Sequence, residues 1–303
     1  MAHSSTVVGL LFTAALASCG GQTPRAESSS RASAWPHAIA KYTGFSAPES
    51  VVYDVEADRY LVSNVNGAPL AEDNNGFISV LSPDGRVTDL KWIEGGKNGI
   101  KLDAPKGLAI AEGLLYVADI GVVRQFDAKN GAYKGEIAVP GSTFLSDVSA
   151  DAEGNVYVTD AGPPRGTFDA VGTEAVYIIE RGRPKLIAKG SALGRPTSVL
   201  WTEGGVVVVP FGSNEVYRLD GDGVKKDVTK IPAGGLAGVV QLGDWLFVTS
   251  WQASSVFRGK LGGRFEVALA DQKSPADLGY DSRRARLLVP HFTEDSVDVF
   301  ELR

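Results

Sequence analysis

Ser50-Val51-Val52-Tyr53-Asp54 and, one turn later, Arg59-Tyr60-Leu61-Val62-Ser63-Asn64 are two short apolar, β-branched runs, and the pair recurs five more times along the chain. The later copies open with GLAIA at Gly107, DVSAD at Asp147, SVLWT at Ser198, GVVQL at Gly238 and DLGYD at Asp277. Their partners end at Asp119, Asp160, Pro210, Ser250 and His291. Alternation, β-branching and turn residues between the runs mark them as strands. Third runs follow from Gly76, Val122, Ala175, Glu215, Ser255 and Ser296, and more polar fourth runs from Arg86, Tyr133, Pro184, Lys225 and Arg264. Four strands per repeat, the last one polar as an outer edge should be, are the signature of a propeller blade. The chain is therefore predicted to be all-β, a six-bladed β-propeller of four-stranded blades.

The sixth copy stops after its third strand, at the chain end. An unassigned run at residues 37–42, beginning at His37, precedes the first blade and is predicted to supply the missing outer strand, which would close the ring. The 303 residues, 44% hydrophobic and 22% charged with 36 Gly and 15 Pro, suit one such domain of short strands and tight turns over residues 35–303. A net charge of -6 argues against a nucleic-acid partner, which would want clustered Lys and Arg. The closed ring is expected to work as a monomer.

Cys19 is the sole cysteine, so neither a disulfide nor a cysteine zinc site can form within the chain. Residues 7–17 are apolar but too short to span a bilayer, and Leu16-Ala17-Ser18-Cys19 leads into polar, Ser-rich sequence. This segment resembles a bacterial lipoprotein signal. The resemblance implies removal of residues 1–18, lipidation of Cys19, a flexible tether over 19–34, and membrane attachment at the bacterial cell envelope, periplasmic or at the cell surface. Residues 1–6 lack Lys and Arg, so an ordinary secretory signal is the alternative.

The intervals from Ser50 to Gly107 and from Asp147 to Ser198 are longer than the others, and the excess falls at residues 65–75, 94–106 and 161–174. In an up-and-down blade all three loops emerge on one face, and long loops in an economical fold commonly carry function. The starts of the innermost strands would crowd around the channel mouth on that face, placing Glu49, Lys106, Asp147 and Asp277 there. The ends of the second strands would add Asn64, Asp119, Asp160, Ser250 and His291, with Asn66 and Trp251 beside them. The expected result is a polar, largely acidic ring needing a cation, a lysine or protons. Calcium or another divalent cation would suit an oxygen-rich set of Glu49, Asp147 and Asp277. His291 or a carboxylate is the acid or base candidate, Lys106 an oxyanion partner, and Trp251 a stacking surface. The plainer alternative for Asp119 and Asp160 is turn capping. Asp220-Gly221-Asp222-Gly223 is too short for a calcium loop and reads as a hairpin turn.

Pro105-Lys106-Gly107-Leu108-Ala109 and Leu115-Tyr116-Val117-Ala118-Asp119 resemble NHL-type blades, and Glu49 to Asp54 is similar to the opening of the gluconolactonase and regucalcin family. The family resemblance implies a propeller whose channel mouth holds a divalent cation on a Glu, two Asn and an Asp and hydrolyses sugar lactones. Of that set the Glu carries over, as Glu49. Where the family has Asn-bearing motifs, this chain has Lys106, Ser146-Asp147 and Thr197-Ser198, and the Asp position is Ala276. Two functions compete on this reading. The favoured one is a lipid-anchored propeller that binds a small molecule or a protein partner on its long-loop face. The alternative is a metal-dependent hydrolase of lactones or related esters.

Overall fold

The computed structural model describes Met1, residues 36–163 and residues 171–302. Cys19, the signal reading of residues 1–18 and the 19–34 tether lie outside the described residues, as does part of the 161–174 loop. Among the described residues, six antiparallel sheets of four strands form, each in simple up-and-down order. The innermost strands of successive blades are Pro48–Asp54, Pro105–Ala111, Leu145–Ala150, Pro196–Thr202, Leu236–Leu242 and Gly279–Asp281. In the sixth sheet His37–Thr43 pairs with Ser296–Glu301, from His37 opposite Glu301 to Thr43 opposite Ser296. The chain's two ends thus build one blade, as the repeat count predicts. Tyr42 from this outer strand donates its hydroxyl proton to the Ser82 carbonyl of blade 1 at 2.7 Å.

The core is distributed. Among the described residues the buried apolar side chains fall into six clusters, each drawn from two successive blades, including one that joins the sixth to the first. Every blade is therefore apolar on both faces, which is why the second strands read as unbroken hydrophobic runs such as Val206-Val207-Val208-Val209. Asp220 caps its hairpin as expected, accepting from the amides of Asp222 and Val224.

One irregularity recurs and positions everything that follows. Five innermost strands begin with a β-bulge: pairing steps from Pro48–Asn64 to Val51–Val62, from Pro105–Asp119 to Leu108–Val117, from Leu145–Asp160 to Val148–Val158, from Pro196–Pro210 to Ser198–Val209, and from Leu236–Ser250 to Val239–Val248. An extra residue in a strand bends it and re-aims side chains. In blades 1, 3 and 5 a hydroxyl set opposite the bulge accepts the freed amide proton, Ser63 from Ser50, Thr159 from Asp147 and Thr249 from Gly238. The strands consequently start earlier than the quoted repeats, while the sixth starts later, at Gly279, with Asp277 held by an isolated bridge to Ser50.

The bulges place two rings around the axis. The upper ring is Glu49, Lys106, Ser146, Thr197, Ala237 and Ala276; the lower is Ser50, Gly107, Asp147, Ser198, Gly238 and Asp277. The lower ring repeats Ser, Gly, Asp twice. Glycine is required beside each aspartate, because a Cβ on Gly107 would come within 2.4 Å of the Asp147 Cα and one on Gly238 within 2.6 Å of the Asp277 Cα.

Candidate functional site

The upper ring floors a cavity of about 540 Å³ that opens on the long-loop face. Its walls are apolar: Val65, Ala68, Pro69 and Leu70 from the 65–75 loop, Phe144 from the link into blade 3, and Phe211, Trp251 and Phe292. The last three form a continuous arc across blades 4, 5 and 6. Phe211 meets Trp251 edge-on with centroids 5.8 Å apart, and Trp251 meets Phe292 at 5.7 Å. Each of the three is the residue immediately after a second strand, whereas the expectation had named Trp251 but otherwise fixed on the strands' last residues. Side chains alternate along a strand, so the last residue turns into the blade and the next one faces the mouth.

The expected polar ring is corrected accordingly. Asn64, Asp119, Asp160, Ser250 and His291 are buried and absent from the cavity lining. Asp119 accepts from the amides of Asp103 and Ala104 and from Arg124. Asp160 accepts from the amides of Thr143, Phe144 and Gly162. Asn64 accepts from the Ser46 amide and donates to Ser79. These side chains pin the links that lead into their own blades, for Asp119 and Asp160 the capping role that was the plainer alternative. Asn66 does the same within its own loop, donating to the Asn75 carbonyl at 2.9 Å. His291 sits 2.7 Å from the Lys273 carbonyl through Nδ1 and 3.4 Å from Asp298 Oδ2 through Nε2, turned into its own blade and away from the cavity.

Asp147 and Asp277 are in the lower ring, not at the mouth. Asp147 accepts from the amides of Val148 and Val199 and from the Ser198 hydroxyl, all at 2.7–2.8 Å. Asp277 accepts from Ser50 at 2.7 Å, and its Oδ1 is 3.3 Å from the same Ser198 Oγ. One hydroxyl carries one proton, so Ser198 serves Asp147 while a protonated Asp277 completes the chain. Burial raises both carboxyls, Asp147 to about 7 and Asp277 well above its ordinary range, the latter also through the charges of Asp147 and Glu49. Both aspartates line a second chamber, of about 530 Å³, on the far side of the ring.

Of the predicted site residues, the structure brings Glu49, Lys106 and Trp251 together at one cavity. Glu49 Oε2 and Trp251 Nε1 are buried without a hydrogen-bond partner among the described residues. Burial, with Asp147 adding to it and Lys106 opposing, pushes the Glu49 carboxyl up to about 8. Lys106 is 2% exposed. Its Nζ donates to the Ala104 carbonyl at 2.8 Å, lies 4.8 Å from the centre of the Phe144 ring, and forms no ion pair among the described residues. Burial brings its ammonium down to about 8 against the charges of Asp119, Glu49 and Asp103.

Sequence reading missed Arg195, which lines the cavity and donates through Nε to the Ala161 carbonyl at 3.2 Å. Its position just before Pro196, matching Phe144 before Leu145, is the signal that was there to find. The calcium expectation does not fit this donor set. Among the described residues no group of three or more His, Cys, Asp or Glu is placed to hold a metal ion. In the upper ring Glu49 is the one carboxylate, with Lys106 as the next side chain around.

No family model matches the sequence, and no curated protein matches it. Solved structures do match in fold. A gluconolactonase from Xanthomonas campestris shares 17% identity and a TM-score of 0.64, over 86% of this chain and 88% of that one. Virginiamycin B lyase from Staphylococcus aureus shares 14% and 0.60, over 87% and 98%. A chain of the nidogen/laminin complex shares 16% and 0.57, over 71% and 76%. The protein is a six-bladed β-propeller of the architecture that gluconolactonase-type and lyase propellers share. Neighbours with such different occupations carry the fold alone.

Proposed function

We infer that this chain is a ligand-binding propeller that receives a small, largely apolar molecule in the cavity on its long-loop face. The observation that supports this most is the combination of an aromatic wall, Phe211–Trp251–Phe292, with two unpartnered buried polar atoms, Glu49 Oε2 and Trp251 Nε1. Buried polar groups are nearly always hydrogen-bonded, and an apolar pocket with a few polar points is the usual form of a small-molecule site. On the same reading lipidated Cys19 holds the domain at the bacterial envelope. The metal-dependent hydrolase alternative has less support, since the upper ring offers Lys106, Ser146, Thr197 and Ala276 where that chemistry would want carboxylate or amide oxygens. Calorimetric titration of the full chain with 2-naphthalenemethanol, an apolar aromatic bearing one hydroxyl, tests the cavity. Saturable binding that weakens in Trp251→Ala is expected; no binding to the solubility limit overturns the reading. Loss of membrane association in Cys19→Ser tests the anchor.

A further inference from the structure

The floor of the cavity holds an amine and a carboxyl that nothing described so far employs. A lysine retained for structure is normally neutralised by a carboxylate. Here the two aspartates behind it are already committed: Arg124 pairs with both Asp119 and Asp103. Lys106 is left with one backbone carbonyl and an aromatic face, and Glu49, beside it on the same floor, has a carboxyl oxygen with no partner. Both groups line the cavity, whose walls are largely apolar.

A desolvated lysine in an apolar pocket is the arrangement that makes an amine nucleophilic, and a nearby neutral carboxyl is the acid such an amine needs to expel water from a carbonyl adduct. We propose that Lys106 captures aldehydes with an apolar, aromatic body as an imine, with Glu49 moving the proton. The proposal rests on the cavity being a small-molecule site. The Lys106 Nζ lone pair bonds to the carbonyl carbon as the C=O π bond breaks. The oxygen takes the Glu49 proton and Glu49 takes one from nitrogen, giving a carbinolamine. Glu49 then returns its proton to the hydroxyl, the nitrogen lone pair forms the C=N bond as the C–O bond breaks and water departs, and the Glu49 carboxylate takes the remaining proton from nitrogen. Amine and aldehyde become imine and water, with no oxidant or reductant. The depressed Lys106 and raised Glu49 proton affinities agree with a form that holds a free amine beside a carboxylic acid.

The experiment is to incubate the full chain with limiting 2-naphthaldehyde and sodium cyanoborohydride, which reduces an imine to a stable amine, and to map the adduct by peptide mass spectrometry. One adduct per chain at Lys106 is expected, absent in Lys106→Met and formed at least tenfold more slowly in Glu49→Gln. An unmodified Lys106, or modification scattered over surface lysines at similar rates, overturns the proposal. Titration of the wild type with 2-naphthalenemethanol separates the two failures: if the alcohol binds and no adduct forms, the imine falls and the cavity stands; if the alcohol does not bind, the cavity reading falls as well. The wild-type mapping decides the matter even where a variant fails to fold.

Discussion

The hydroxyl of Ser50 donates to Oδ2 of Asp277 at 2.7 Å, joining residues 227 positions apart in sequence across the seam where the sixth blade meets the first. The same seam carries the Asp277 amide, bonded to the Glu49 carbonyl at 2.8 Å, and the Tyr60 hydroxyl, which donates to Asp281. Ring closure in this protein is thus polar at the axis and apolar further out. Removing the Ser50 hydroxyl leaves a buried carboxyl without its donor, so Ser50→Ala should lose about 1–3 kcal/mol in urea unfolding. Asp277→Asn, which keeps a neutral group of the same shape, should lose less than Asp147→Asn, which gives up an acceptor of two amides and a hydroxyl.

The outer strand of the sixth blade should be indispensable. Deleting residues 36–45 strips the His37–Thr43 strand from Ser296–Glu301 and takes Tyr42 and Phe45 out of an apolar cluster, exposing Leu288, Val297 and Val299. The truncated protein is expected to lack a cooperative thermal transition by circular dichroism. A melt matching that of the intact chain would contradict this. The milder Tyr42→Phe removes one hydrogen bond and should cost about 1 kcal/mol.

Stability should fall as pH rises from about 5 to 8. Glu49, raised to about 8, and Asp147, raised to about 7, hold protons in the folded state that an unfolded chain releases from about pH 4 upward, and Asp277 acts in the same direction. Their stabilisation is complete below the unfolded values and is lost as pH rises through the folded ones. Lys106 works the other way above about 8, where the unfolded chain binds the extra proton. Melting temperatures across this range should drop by several degrees and flatten in Asp147→Asn. A midpoint independent of pH would show that these groups do not titrate as described.

Two sets of substitutions should separate binding from scaffolding. Trp251→Ala removes the centre of the aromatic arc and should weaken 2-naphthalenemethanol binding about tenfold or more while leaving unfolding within about 1 kcal/mol of wild type if the arc is a ligand surface. Asp119→Ala leaves buried Arg124 without a main partner and should cost about 3–5 kcal/mol of stability.

Calcium should not bind saturably up to millimolar concentration in calorimetry, because the mouth presents one carboxylate beside a lysine. Saturable one-to-one binding abolished by Glu49→Gln would restore the hydrolase reading.

The blades were legible because burial on both faces leaves runs such as Leu115-Tyr116-Val117-Ala118 that only a strand between two apolar layers requires. The closing strand was legible by counting. The site was harder, for a physical reason: the bulges at the first-strand starts shift side chains by one position, and nothing in the apolar pattern marks a bulge. That shift left Ser146 on the floor with Asp147 below it, and in the unbulged sixth blade the bridge between Asp277 and Ser50 does the same, leaving Ala276 on the floor. A hint existed in the hydroxyls Ser63, Thr159 and Thr249, set one residue before the end of alternate second strands, where they accept from the bulged amides. Lys106 and Glu49 were found because the expectation took, in their blades, the residue just before the repeat start, the position that Ser146 and Ala276 hold in the other two. Phe292 was passed over in favour of His291 before it, and Phe211, which follows Pro210, was not considered.

The hydrogen-bonded chain from Asp147 through Ser198 to Asp277 and on to Ser50 lies between two cavities that share no lining residue. It reaches from the third blade to the first past Gly238, and it divides the axis into two chambers that face opposite ways. A molecule entering at the aromatic rim would meet Glu49, Lys106 and Ser146 before either aspartate, so the same few side chains would govern its arrival and its release.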